Sequence, residues 1–174
     1  FDPDFVENLI APIIKGRARG TFSKEEYVAN KDNALARSWN INRGLPPDRM
    51  HSAGYPDTQR VFRAILKKEF EKVGGFDPKQ GYTDDWSLSQ KLGAEAQVVP
   101  GAVFYHRNPD TLKEVFVQSR WRAKRKYKFG FLGILLALVR VSLPVSLMVG
   151  AVKAVVFATP VFLVFKLVSD FAEF

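Results

Sequence analysis

The 174 residues read as an α/β sandwich followed by C-terminal membrane helices, and three observations lead there. Strand-like and helix-like patterns alternate over the first part of the chain, the arrangement of sheets covered by helices. Roughly three or four short strands are visible, which is about half of a doubly wound sheet. The polarity then changes abruptly. From Phe129 to Phe174, 32 of 46 residues are apolar and five are charged, so the chain divides into a soluble part, 1–128, and a hydrophobic membrane segment, 129–174.

The elements follow in order. Phe5, Val6, Leu9, Ile10, Ile13 and Ile14 fall at helical spacing behind Asp4, which predicts an amphipathic helix over 5–14 with Asp4 as N-cap. Gly16 and Gly20 bracket a basic turn, and Thr21-Phe22 reads as a brief strand. Ser23 with Glu26 three residues on matches a capping box, which predicts a helix through Tyr27 and Leu35 to about residue 39. Residues 40–59 are rich in Asn, Gly, Pro, Asp and Ser and contain Pro46-Pro47, so they form a long loop. Residues 61–64 read as a strand entering a helix over 65–73, which Gly74-Gly75 stops. Asp84 or Asp85 opens a helix reaching Leu92, and residues 97–99 and 102–105 are strand-like on either side of Pro100-Gly101. Asn108-Pro109-Asp110 then caps a helix over 111 to about 128.

Composition narrows the function classes. There is no cysteine, so disulfide and cysteine-metal scaffolds are excluded. The 26 basic residues against 18 acidic ones give a net charge of +8. Arg120, Arg122, Lys124, Arg125, Lys126 and Lys128 place much of that excess directly before the apolar segment. No nucleic-acid motif accompanies the charge, so anionic lipid explains it better than DNA or RNA. The same cations put the soluble part on the cytoplasmic side of a membrane.

Within the segment, Arg140, Lys153 and Lys166 interrupt every apolar run before it reaches about 18 residues. The preferred arrangement is a hairpin, 131–148 outward and 154–168 back, with Lys153 and Lys166 snorkelling to the two interfaces. In-plane helices bent at Pro144 and Pro160 are the alternative. Arg140 needs a partner, a water-filled groove or local thinning in either case.

The chemistry concentrates between Phe62 and Trp121, where several short motifs occur in a set order: Phe62-Arg63-Ala64; Gly74-Gly75-Phe76-Asp77; Thr83-Asp84-Asp85-Trp86; Leu92-Gly93; Tyr105-His106; Pro109-Asp110-Thr111-Leu112; and Gln118-Ser119-Arg120-Trp121. Taken by themselves, Asp84 and Asp85 suit either the cap of the following helix or a general base held ionised at its N-terminus. His106 at a strand end suits a structural role or a partial metal ligand. Arg63 suits a surface pair with a loop carboxylate or, with Arg49, His51 and Asp57, a contact to a substrate. Trp121 with its basic neighbours suits an interfacial anchor or a sugar-stacking platform.

The ordered set resembles the C-terminal half of the catalytic domain of family 2 glycosyltransferases, which include cellulose and hyaluronan synthases and the polyprenol sugar transferases. The resemblance covers roughly residues 1–128 and implies a partial GT-A (nucleotide-diphospho-sugar transferase) sandwich. It implies Asp85 as the general base, with Asp84 in place of the usual Glu beside it. It further implies Gln118, Arg120 and Trp121 as acceptor or diphosphate contacts, Arg63 as a substrate contact and His106 near the metal-diphosphate. Gln118 lies two positions before Arg120 rather than three, and Val117 occupies the strict site, so processive synthesis is not implied. The implied partners are a nucleotide-sugar donor, a lipid-phosphate or glycan acceptor in polysaccharide or glycolipid synthesis, and membrane lipids. The implied cofactor is a divalent metal, Mn²⁺ or Mg²⁺, held mainly by an N-terminal half upstream of Phe1. Asp2-Pro3-Asp4 would then be a decoy for the metal motif, and the chain a piece of a longer one. A non-catalytic membrane-bound interaction subunit that retains part of the fold is the competing expectation.

Overall fold

In the computed structural model, which describes residues 1–124 and 129–174 (81–83 by backbone alone), the elements are short and mixed. The first part holds α1 (Phe5–Ile14), β1 (Gly20–Phe22), β2 (Glu26–Val28), α2 (Ala34–Asn42), β3 (Thr58–Gln59), β4 (Ala64–Ile65) and α3 (Lys67–Lys72). A 3₁₀ turn (Pro78–Thr83) leads into α4 (Asp84–Leu92), then β5 (Ala96–Val98), β6 (Phe104–His106) and α5 (Leu112–Ala123). Three apolar helices end the chain: α6 (Gly130–Arg140), α7 (Leu143–Val156) and α8 (Val161–Glu173). The mixed α/β class is as expected.

The chain forms two compact units that do not follow the expected division at 128/129. One is Phe1–Tyr27 with Arg49–His106, the other Val28–Asp48 with Arg107–Phe174. The helices of the apolar segment therefore belong to the same unit as α2 and α5, because α8 packs on α2, α5 and α7.

In the first unit the sheet order is β3-β5-β1-β4. β1 runs parallel to β5, with Thr21 opposite Gln97, and antiparallel to β4, with Thr21 opposite Ala64. β2 and β6 form a separate two-stranded ribbon. Phe5 and Leu9 of α1 pack on Val99, Ala102 and Phe104. The Thr21 hydroxyl, fully buried, donates to the Leu9 carbonyl at 2.6 Å and fixes α1 against β1. Gly20 is required here, since a Cβ would fall 2.3 Å from the Phe62 ring. Asp4 sits at the start of α1 but its side chain caps nothing.

The expected helix opening at Ser23 is corrected. Residues 26–28 are strand, and α2 begins only at Ala34, where the Asn33 side chain accepts from the Leu35 and Ala36 amides at 2.8 and 3.1 Å. The Ser23 hydroxyl instead accepts from the Glu25 amide at 3.0 Å in a tight local turn. Glu26, whose carboxylate a capping box would spend on a backbone amide, is turned inward to side chains.

The second unit is a helical bundle of α2, α5, α7 and α8 around Trp39, Ile41, Val115, Phe162 and Phe165. The buried Asn108 amide donates to the Ala36 carbonyl at 3.1 Å and to Asn40 at 3.0 Å, which ties the start of α5 to α2. The expected hairpin arms are not continuous helices. The first breaks at Val141-Ser142 and the second at 157–160. Lys166 does not snorkel: it is buried and bonds Asp170 at 2.7 Å, while Ser146 donates to the same carboxylate at 2.5 Å. Among the described residues no single helix is long and apolar enough to cross a membrane, and α6 and α7, which reach that length together, bend by 59°.

Candidate functional site

The first unit gathers two histidines and an arginine around one carboxylate. Glu26, on β2, is 4% exposed. Its Oε2 lies 3.2 Å from His51 Nε2, and its Oε1 lies 3.3 Å from His106 Nδ1 and 3.6 Å from the Arg63 guanidinium. Both histidines of the chain therefore meet the same carboxylate. The backbone dictates this convergence. The Met50 amide donates to the Glu26 carbonyl at 2.9 Å and delivers His51, and the Arg63 amide donates to the Thr21 carbonyl at 2.9 Å and delivers the guanidinium. β6, paired with β2, carries His106. Arg63 further lies over the Phe104 ring at 5.4 Å, and His51 packs on Tyr55 with 4.3 Å between ring centres.

Burial alone would raise the Glu26 carboxyl, but the hydrogen bonds from His106 and His51 and the Arg63 charge outweigh it and lower it from 4.5 to about 2. A depressed carboxyl stabilises the fold above its unfolded value and loses that contribution as pH falls toward about 2. The expected result is an acid limb in urea unfolding that Glu26→Gln flattens by about 3 kcal/mol between pH 5 and pH 2. An unchanged acid limb in the variant would show that Glu26 is not the group responsible.

Asp84 and Asp85 occupy the first turn of α4, as expected. Two contacts place this turn: the Asp77 amide donates to the Ser87 hydroxyl at 2.8 Å, and Lys91 Nζ donates to the Gly75 carbonyl at 2.7 Å. Gly74 and Gly75, with φ of 70° and 67°, make the reversal that brings those partners round. Asp84 Oδ1 accepts from the Asp85 amide at 2.9 Å, so Asp84 caps locally while Asp85 is half-buried. Burial and the Asp84 charge push the Asp85 carboxyl up, and the Trp86 amide and Arg63 partly oppose them. Arg63 thus acts electrostatically on both Glu26 and Asp85. Of the two roles weighed for Arg63, the pairing with a surface loop carboxylate gives way to one with the buried Glu26. Arg60 lies over the Trp86 ring at 5.5 Å, and Asp57 pairs with Lys24.

Of the remaining expected site residues, Gln118, Arg120 and Trp121 belong to the second unit. All three are exposed on α5, whose Val115 and Ser119 face inward. Trp121 is 49% exposed and carries the Lys124 ammonium 5.1 Å above its ring. Arg122 is not part of an exposed basic collar: it bonds Glu173 and stacks on Trp39 at 5.1 Å. Arg125, Lys126 and Lys128 lie outside the described residues.

Among the described residues no group of three or more His, Asp or Glu side chains is arranged to hold a metal ion. His106 turns Nδ1 to Glu26, which leaves Nε2 as one imidazole nitrogen for an ion, and one nitrogen is not a metal site. Sequence reading missed Glu26 as a centre and weighed His51 as a loop residue that could contact a substrate alongside Arg63, not as a partner of Glu26. No short-range signal marks either, because the contacts span separations of 25 and 80 positions that only the paired strands and the folded loop close. Family models, curated proteins and solved structures give no match to this chain.

Proposed function

We propose that the chain is the acceptor-side part of a membrane-associated, inverting glycosyltransferase of the GT-A type. It would move a sugar from a nucleotide-diphosphate donor to a lipid-phosphate or glycan acceptor. The observation that carries this reading is Asp85: a half-buried carboxylate at a helix N-terminus, raised by burial, with Arg63 acting on it and lying 3.6 Å from the Glu26 that also holds His106. In the proposed chemistry the acceptor hydroxyl gives its proton to Asp85 while its oxygen bonds to the anomeric carbon. The bond from that carbon to the diphosphate oxygen breaks on the opposite face, and the nucleotide diphosphate leaves with the electron pair. A carboxylate with a raised pKa is a stronger base than an ordinary one.

Trp121, exposed on the same helix as Gln118 and Arg120, has the surface to stack a sugar face, and the Lys124 ammonium at its ring is a cation for phosphate oxygens. A divalent metal would neutralise the leaving diphosphate, with His106 supplying at most one ligand, and the rest would come from residues outside this sequence. Membrane association is supported by the exposed apolar faces of α6 and α7, among them Phe131, Leu132, Leu136, Val139, Leu143, Met148 and Val155. The basic residues before α6 favour a cytoplasmic site.

The test uses the full-length natural protein in membranes from cells that produce it. A panel of radiolabelled nucleotide sugars is offered and the lipid and glycan fractions are counted. Label in one of those fractions that depends on Asp85 supports the proposal; no transfer from any donor in the panel would overturn it.

A further inference from the structure

Beside the break between α6 and α7 the second unit contains an apolar groove of about 310 Å³, lined chiefly by Val141, Leu143, Ser146, Leu167, Phe171 and Phe174. A smaller hollow of about 140 Å³ shares Val141 and Phe174 with it and is walled by Leu138 and Glu173. Together they make a slot open to the outside, within the size range of small-ligand sites. Its two polar lining residues spend their hydroxyls within the protein, Ser146 on Asp170 at 2.5 Å and Ser142 on the Val139 carbonyl at 2.7 Å, so the groove has little to offer water. Two guanidiniums meet the carboxylate that walls the smaller hollow. Glu173, 3% exposed, is shared by Arg122 and Arg140, and Arg140 is still 45% exposed. The apolar groove therefore lies next to an edge where Arg140, sharing one carboxylate with Arg122, stays exposed.

We infer that this groove takes one hydrocarbon chain of an anionic membrane phospholipid, with its phosphate at Arg140. The chemistry matches at both ends: a chain removed from water inside, and a guanidinium able to bind phosphate oxygens at the rim. Arg140, which is costly inside a bilayer without a partner, then sits at headgroup level, where its charge is used. The rim residues Leu143, Phe171 and Phe174 are 64%, 74% and 78% exposed, so a chain can enter from the side without unfolding the bundle. This inference rests on the membrane-association part of the proposed function and is independent of sugar transfer.

The experiment incubates the full-length chain with phosphatidylcholine vesicles containing a minor fraction of phosphatidic acid that carries a photoactivatable group at the end of one acyl chain. Cross-links are mapped by mass spectrometry, and vesicle flotation is followed in parallel. Labelling is expected at Leu167 and Phe171, with the same probe built on neutral phosphatidylcholine labelling about tenfold less. Arg140→Gln, which leaves Glu173 paired with Arg122, is expected to lower labelling about tenfold. Leu143→Trp, which fills the mouth from an exposed position, is expected to remove it. Flotation persists in both variants and Asp85→Asn labels normally.

Labelling spread over the outer face of α6 with none at Leu167 would overturn the inference and leave membrane association standing. So would equal labelling in both variants. Displacement of the probe by polyprenyl phosphate far more strongly than by unlabelled phosphatidic acid would also overturn it, assigning the groove to an acceptor lipid. A chain that does not float with vesicles would overturn both readings.

Discussion

Replacing Asp85 by Asn in the full-length protein is expected to lower sugar transfer by about 10²–10⁴-fold while donor affinity stays unchanged. Asparagine keeps the size and the hydrogen-bonding outline of the side chain, so the turn that opens α4 persists, but it cannot accept a proton from the acceptor hydroxyl. In barrier terms the loss is about 3–5 kcal/mol, a change in the chemical step rather than in ground-state binding. The pH profile supplies an independent reading. Asp85 must be ionised to act, and burial together with the Asp84 charge raises its pKa above the ordinary value of 3.8. The acid limb of kcat/KM is therefore expected at higher pH than an unperturbed aspartate gives. Asp84→Asn removes one of the two raising causes and is expected to move that limb toward lower pH. Full turnover in Asp85→Asn would sink the assignment of the base. A limb that ignores Asp84→Asn would show that the titrating group lies elsewhere.

The second large effect belongs to the bundle. Asp170→Ala is expected to destabilise the second unit by about 3–5 kcal/mol, because it leaves the Lys166 ammonium buried without its counter-charge. Lys166 and Asp170 are 3% and 1% exposed, so water cannot substitute for the lost partner. Ser146 also loses its acceptor at 2.5 Å. Pairing the change with Lys166→Met removes the stranded charge, and the double variant is expected to recover much of the loss in urea unfolding. A double variant as unstable as Asp170→Ala would mean that Asp170 matters through something other than Lys166.

The sequence exposed those elements whose signals are local. α1, α4 and α5 were legible from apolar spacing and from polar residues near their starts, although Asp4 caps nothing and the cap of α5 is Thr111, which accepts from the Glu114 amide, rather than Asn108-Pro109-Asp110. The acidic pair of α4 was legible for the same reason: a helix start announces itself within four residues. β2 was not, because Ser23 and Glu26 have the spacing of a capping box, and whether a carboxylate reaches back to its own turn or across to His51 and His106 is decided by distant chain. The apolar helices were misplaced for a related reason. Hydropathy counts Phe162, Phe165 and Val168 as greasy without saying whether they face lipid or the Trp39 and Val115 side chains they meet. Lys166 looked like a snorkelling cation because its partner Asp170, one helical turn on, counted only as another charge in the same segment.

The packing of α8 also decides how this protein can be handled. A hydrophobic C-terminal stretch invites removal to obtain a more polar piece. Here the cut would strip Phe162 and Phe165 out of contact with Trp39, Ile41 and Val115 and orphan Arg122, whose Glu173 would be gone. The chain passes between its two units at 27/28, 48/49 and 106/107, so neither can be excised as one continuous segment. What looks like a detachable anchor is instead the keystone of the bundle. Changes to the exposed apolar residues of α6 and α7 leave that core intact only if α8 stays whole.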